Sequence, residues 1–240
     1  MKHLSSIYPN RDVRQREIVP PERLNSCHAV VIGVGAIGRQ VALQLAALGI
    51  PSMDLIDPDI VAVENLAPQG YWPADLGQPK VQATAQLCHQ VHPELQLQTQ
   101  IERFRRSSVR DLHWPVEKQI AVFCCVDSID ARKLIWESLK PCMHFWADGR
   151  MAAEVVRVLA RSDPSLDTDY ASTLFNESEA YSGSCTAKST HYSASIAAGL
   201  MISQFTRWLR RLPVEQDILF NLLSMELDSQ LGAKGGSNGT

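Results

Sequence analysis

The sequence predicts an α/β fold: a Rossmann-like, mostly parallel sheet continued by an antiparallel C-terminal half. Three features predict it. A short apolar run, a glycine loop and an amphipathic segment follow one another over residues 28–48. A continuous apolar run at 120–126 reads as a parallel strand buried on both faces. Alternating stretches at 151–160 and 217–227 read as strands of a different, half-exposed kind.

Taken in order, His28 to Val34 forms the first strand, and Gly33-Val34-Gly35-Ala36-Ile37-Gly38 the turn after it. Ile37 to Leu48 has helical spacing and is closed by Gly49. In such a loop Gly33 permits the turn, Gly35 lets backbone approach a phosphate, and Gly38 allows close helix–sheet contact. Ser52 to Asp57 is the second strand, and Asp57 falls about 20 residues past the loop, where a carboxylate can accept from ribose hydroxyls. Many dehydrogenases share these features, so the nucleotide stays open at this point.

Gly77-Gln78-Pro79-Lys80 opens a further helix, from Lys80 to His89. A lone lysine is ordinarily a solvated surface residue. At a helix N-terminus, beside the positive dipole end, a second cation suits a polyphosphate. Asp127 follows the strand at 120–126, at the end of the sheet where α/β proteins bind ligands. It either faces a triphosphate through Mg²⁺ or caps the helix starting near Ile129, a task Asp130 can also perform.

The chain has 240 residues, 45% hydrophobic and 20% charged, with a formal net charge of -3. That length gives one substantial core, read as a single domain over 24–228 with an N-terminal arm or helix at 1–23 and a flexible tail at 229–240. The charge balance argues against a nucleic-acid partner or an anionic membrane surface. No apolar run reaches the roughly 20 residues of a membrane span, and residues 1–16 lack the apolar region of a signal peptide, so a cytoplasmic location is expected. Six cysteines, at 27, 88, 124, 125, 142 and 185, include no CxxC pair, so neither a disulfide framework nor zinc is expected. Cys124 and Cys125 read as small core residues of the apolar run.

Four motifs in this order resemble the ThiF/MoeB/HesA family, bacterial relatives of ubiquitin-activating enzymes. They are the loop at 33–38; Asp57-x-Asp59-x-Val61-x-x-x-Asn65-Leu66; the segment from Gly77 to Lys80; and Cys125-x-Asp127 followed by Arg132. Upstream, Arg16-Glu17-Ile18 resembles the family's N-terminal arginine segment, and Asp148-Gly149-Arg150-Met151 its glycine-arginine turn into a β-hairpin. The resemblance implies ATP- and Mg²⁺-dependent adenylation of the C-terminal carboxylate of a small ubiquitin-like or sulfur-carrier protein ending in glycine. It implies that Asp57 and Asp59, with Gly33, Gly35 and Gly38, belong to the nucleotide site, Asp57 holding the ribose. Asn65 and Lys80 would hold phosphates and Asp127 the Mg²⁺. Arg16 would reach the site of a neighbouring subunit, which implies a homodimer.

The chain departs from the family at three places. Where the family shows Asn-Leu-x-Arg-Gln, the chain has Asn65-Leu66-Ala67-Pro68-Gln69, so the phosphate-binding arginine is absent unless Arg16, Arg39 or Arg150 replaces it. The usual Asp-Asn is Asp127-Ser128, and the zinc-binding CxxC pairs are missing.

In the second half, Asp163 to Ser184 reads as a long polar loop, a good place for partner contact. It runs into Cys185 just before a helix over Thr190 to Leu209. A helix N-terminus and Lys188 would favour a thiolate there, and some family members use a cysteine at this place to take the acyl group as a thioester. The competing reading is a small residue suited to a helix start. Three other functions fit parts of the pattern: adenylation of a peptide or small-molecule carboxylate, an NAD-dependent dehydrogenase, and an ATP-binding pseudoenzyme subunit.

Overall fold

The computed structural model describes residues 10–112, 114–174 and 189–231. Cys27–Ile32 (β1), Ser52–Ile56 (β2), Gln96–Gln100 (β3), Gln119–Cys124 (β4) and Phe145–Ala152 (β5) form the parallel part of one sheet. Val155–Arg161 (β6), Glu215–Asn221 (β7) and Glu226–Leu231 (β8) continue it antiparallel, giving the order β3-β2-β1-β4-β5-β6-β7-β8. The sense changes at β5, which pairs parallel with β4 (Ala121 opposite Phe145) and antiparallel with β6 (Trp146 opposite Arg161).

The sequence explains the division. Every residue of β1 and β2 is buried, because helices cover both faces, and such strands are apolar without alternation. One face carries Ala36–Leu48 (the helix that follows β1), Lys80–Val91 and His191–Leu209, numbered α2, α4 and α7; Pro21–Asn25 is α1 and Val63–Gln69 is α3. Val41, Leu45, Met201 and Phe205 fill the core on this side. On the other face Ile129–Leu139 (α6, after the short α5 at Ser108–Asp111) packs Trp136 against Trp146 and Tyr170, with ring centroids 5.3 and 4.3 Å away.

Several boundaries differ from the sequence reading. The alternating run at 151–160 contains the end of β5 and most of β6, separated by a tight turn with Ala153 at φ +52°. Gly149 and Arg150 therefore lie inside β5 and not at the turn. A Cβ on Gly149 would come within 2.6 Å of Met201 Sδ and 3.2 Å of Ile37 Cγ2, so a larger residue there requires those side chains to shift. The stretch 217–227 is likewise two strands, and β8 carries regular structure to Leu231, inside the stretch read as tail. β3, with sequence Gln-Leu-Gln-Thr-Gln, is a polar edge strand that apolar patterning does not reveal. Part of the polar stretch after Asp163 forms short 3₁₀ turns, Pro164–Leu166 and Tyr170–Thr173, the second anchored by buried Tyr170.

Candidate nucleotide site

From β1 the chain passes to β2 and β3 on one side, then returns to β4 on the other. The crevice between β1 and β4 is thus the topological switch point where open α/β sheets bind ligands. Two loops meet there. Gly33 has φ +86°, and a Cβ on it would come within 2.8 Å of the Cys125 carbonyl; a Cβ on Gly38 would lie 1.8 Å from the Gly33 oxygen. The backbone can turn from β1 into α2 beside the end of β4 only without side chains at both positions.

Asp57, just beyond β2, is 5% exposed and braces this turn. One carboxylate oxygen accepts from the Val34 N–H at 2.6 Å, the other from the Asp59 N–H at 2.8 Å. Burial pushes its carboxyl up, and the two backbone N–H groups and Lys80 only partly counter this. Tyr71 adds a second brace, its hydroxyl donating to the Val34 carbonyl at 2.6 Å.

Lys80 is the first residue of α4, and the preceding Pro79 supplies the fixed φ that suits a helix start. Its Nζ lies 2.9 Å from Asp59 Oδ2, with the lysine side chain 8% exposed and its partner 61% exposed. The cation is therefore held in place while its counter-ion stands in solvent. Asn65, in the first turn of α3, uses its carboxamide oxygen to accept from the Ala62 N–H at 2.9 Å. Gln69, at the end of α3, closes the Asn65 motif, and the sequence pattern assigns it no role. Its carboxamide lies about 4 Å from where a Gly35 side chain would be, and its buried Oε1 has no hydrogen-bond partner. Gln100, at the end of β3, leaves a second buried Oε1 without a partner near the same end of the sheet.

Asp127 is exposed after β4. It does not cap α6, and neither does Asp130: Ser128 is the N-cap, its Oγ accepting from the Ala131 N–H at 3.3 Å. The main chain of Asp127 is anchored, since Arg132 donates to its carbonyl at 3.2 Å. Arg132 also reaches Asp148 at 2.8 Å and the Gly149 carbonyl at 3.1 Å. Asp148, fully buried, accepts in addition from Arg150 at 2.7 Å and Tyr170 at 2.9 Å, while Arg150 donates to both oxygens of Thr173. Burial pushes the Asp148 carboxyl up, yet the two guanidinium groups overcome that and hold it below its ordinary value. The sequence shows Asp148 and Arg150 only as part of a motif; that both fall on one strand facing a helix needs the register of β5.

The remaining candidates lie elsewhere. Arg16 pairs with Asp12 at 2.9 Å in an N-terminal turn docked on the far end of α2, where Arg11 and Gln15 donate to the carbonyls of Ala46 and Leu48. A 13-residue helix, about 20 Å long, separates that end from the glycine loop. Of the two other arginines considered for the one missing at Pro68, Arg39 stacks 4.7 Å over the Tyr71 ring, and Arg150 is engaged by Asp148 and Thr173. Cys185 and Lys188 lie outside the described residues. Among those described, Cys27, Cys88 and Cys124 are buried, and burial pushes the Cys27 thiol up to about 11.

A family model for ThiF matches residues 10–229. The chain belongs to the ThiF family. Among curated relatives, a ubiquitin-like modifier-activating enzyme 5 of Caenorhabditis elegans is 27% identical over 56% of this chain and 34% of its own length. The sulfur carrier protein ThiS adenylyltransferase of Escherichia coli (strain K12) is 30% identical over 48% of this chain and 45% of its own. The matches thus span between a third and a half of these relatives. Among solved structures, PaaA superposes with a TM-score of 0.74 at 18% identity, covering 97% of this chain and 79% of that one. E. coli MccB with MccA-N7isoASN gives 0.71 at 14%, covering 96% and 74%. These last two share the fold.

The donor set suits a Mg²⁺-bound nucleotide. No group of three or more His, Cys, Asp or Glu residues is placed to cage a metal among the described residues. Mg²⁺ ordinarily takes only one or two carboxylates, completing its shell with water and substrate phosphates, and exposed Asp127 offers one such ligand. Gln69 Oε1, beside Gly35, is a buried acceptor without a hydrogen-bond partner, as is Gln100 Oε1. No described helix is long and apolar enough to cross a membrane.

Proposed function

We propose that this ThiF-family protein uses ATP to adenylate the C-terminal carboxylate of a small ubiquitin-like or sulfur-carrier protein. The observation that carries the reading is the buried Lys80 ammonium, pinned at the start of α4 against an exposed, displaceable Asp59 carboxylate. Such a cation suits a triphosphate better than the pyrophosphate diester of a dinucleotide. The names of the E. coli and C. elegans relatives support the same chemistry.

In the proposed reaction a carboxylate oxygen attacks the α-phosphorus, the bond to the bridging oxygen breaks, and pyrophosphate leaves with that electron pair. Two anions must approach, so the site's task is charge compensation, with no general base. Lys80 meets the phosphates as Asp59 swings into solvent. The N–H groups at the start of α2 face the phosphates, and Asp57 holds the turn that presents them. Asp127 would hold Mg²⁺, which would supply further positive charge at the phosphates. Arg132 fixes the Asp127 backbone, and Arg16 acts from a second subunit of a homodimer. Cys185 would then attack the acyl carbon, releasing AMP and forming a thioester.

A second reading, in which the carboxylate belongs to a peptide or small molecule, draws on the loss of arginine at Pro68 and on the fold shared with MccB, also crystallised with ATP. Incubation with ATP, Mg²⁺ and either a diglycine-ended carrier or a short peptide, followed by mass spectrometry, separates the two. A carrier heavier by one adenylyl group supports the first reading; an unmodified carrier together with an adenylated peptide supports the second.

A further inference from the structure

Arg39 is unlike the other buried cations of this protein. It is 3% exposed, its Nε has no hydrogen-bond partner, and it forms no ion pair among the described residues. Leaving the buried Nε unpaired is costly, and burial pushes the guanidinium pKa down. The Tyr71 ring lies 4.7 Å beneath the guanidinium. Its terminal nitrogens are left to take an acceptor from the pocket that the residue lines.

The group lines a cavity of about 200 Å³ between α2, α4 and the segment joining α3 to α4. Gln78, Gln86 and Gln90 supply amides, and Trp72, half exposed, forms the rim. Asp75, 8% exposed, lines the same cavity; it acts on Arg39 through space and accepts only from the Trp72 N–H at 2.8 Å. A buried cation and a buried anion therefore face one space without touching each other.

The chemistry of that pair selects the guest. The guanidinium fork matches a carboxylate. Asp75 disfavours a dianion such as phosphate and attracts an ammonium. The pocket is small, about 200 Å³, and partly open to solvent. We propose that the cavity is a binding site for a small zwitterion of the α-amino-acid class, its carboxylate on Arg39 and its ammonium toward Asp75, with the glutamine amides completing the contacts. It is separate from the nucleotide crevice, though Tyr71 touches both, stacking on Arg39 and donating to Val34 in the glycine loop.

The test is a ligand-observed NMR titration of the purified full chain, without nucleotide, against single L-amino acids, acetate, methylamine and inorganic phosphate. Saturable binding of one or more amino acids, at least about tenfold tighter than acetate or methylamine, is expected. Arg39→Met should abolish it and Asp75→Asn weaken it. Gln86→Trp, at an exposed position on α4, should block the cavity without touching the core, and serves if Arg39→Met does not fold. No saturable binding of any amino acid to the wild type would overturn the proposal, as for a cavity holding water alone. So would equal binding of acetate or phosphate, or binding that survives Gln86→Trp.

Discussion

Arg132 and Asp148 meet at 2.8 Å with side chains 6% and 0% exposed, and the same guanidinium holds the Asp127 carbonyl. One buried ion pair thus ties the end of β4 to the middle of β5. Removing the carboxylate strands two guanidinium groups. Asp148→Ala should therefore destabilise the fold by about 3–5 kcal/mol in urea unfolding, and Asp148→Asn by less, since it keeps acceptors.

The pair also sets an acid limit. The folded Asp148 carboxyl lies below its ordinary value, so its contribution is complete above the unfolded value of about 3.9 and is lost as pH falls through the lower folded value. Stability between pH 5 and 8 should not depend on this group. Acid unfolding followed by circular dichroism should lose this pH-dependent component in Asp148→Asn; an unchanged profile would remove the pair as its source.

Two glycines separate packing from backbone conformation. Gly49, at φ +93°, has nothing within 4 Å of where an alanine methyl would stand, so Gly49→Ala carries only the left-handed penalty of about 1 kcal/mol. Gly38→Ala drives a Cβ to 1.8 Å from the Gly33 oxygen and must displace the turn. It should cost more, about 1–3 kcal/mol or above, and weaken ATP binding in calorimetry, whereas Gly49→Ala should bind ATP normally.

The parallel half is legible in the sequence because its strands are buried on both faces and its punctuation is glycine. The glycine loop, the closing Gly49 and the buried runs of β1, β2 and β4 all report directly on backbone conformation or burial. The hairpins are not, because the turn at Ala153 lacks glycine or proline and β3 is polar. The partners of Asp57 and Asp148 depend on contacts across the sheet and its loops, which no local pattern encodes. Arg39, considered from the sequence as a stand-in for the arginine missing at Pro68, lies over Tyr71 and lines a separate pocket; the sequence does not tell which side of α2 it faces.

Arg16 offers a test across subunits. It lies at the end of α2 opposite the glycine loop, so any role in catalysis must be exerted on another chain's site. Arg16→Ala and Asp127→Ala proteins should each be inactive alone, and mixing them should restore one active site per mixed dimer. Absence of rescue would assign Arg16 a structural role.

Cys185→Ala should leave adenylation intact while removing any thiol-sensitive adduct with the carrier on a non-reducing gel. A persisting adduct would point to another nucleophile.

The most direct measurement is ATP–pyrophosphate exchange by the wild type and Asp127→Ala, with Mg²⁺ and a diglycine-ended carrier. Carrier-dependent exchange is expected of the wild type, with a loss of at least about 100-fold in the variant. Wild-type protein that binds ATP but catalyses no exchange with carrier or peptide would contradict the proposed reaction, as would undiminished exchange by Asp127→Ala.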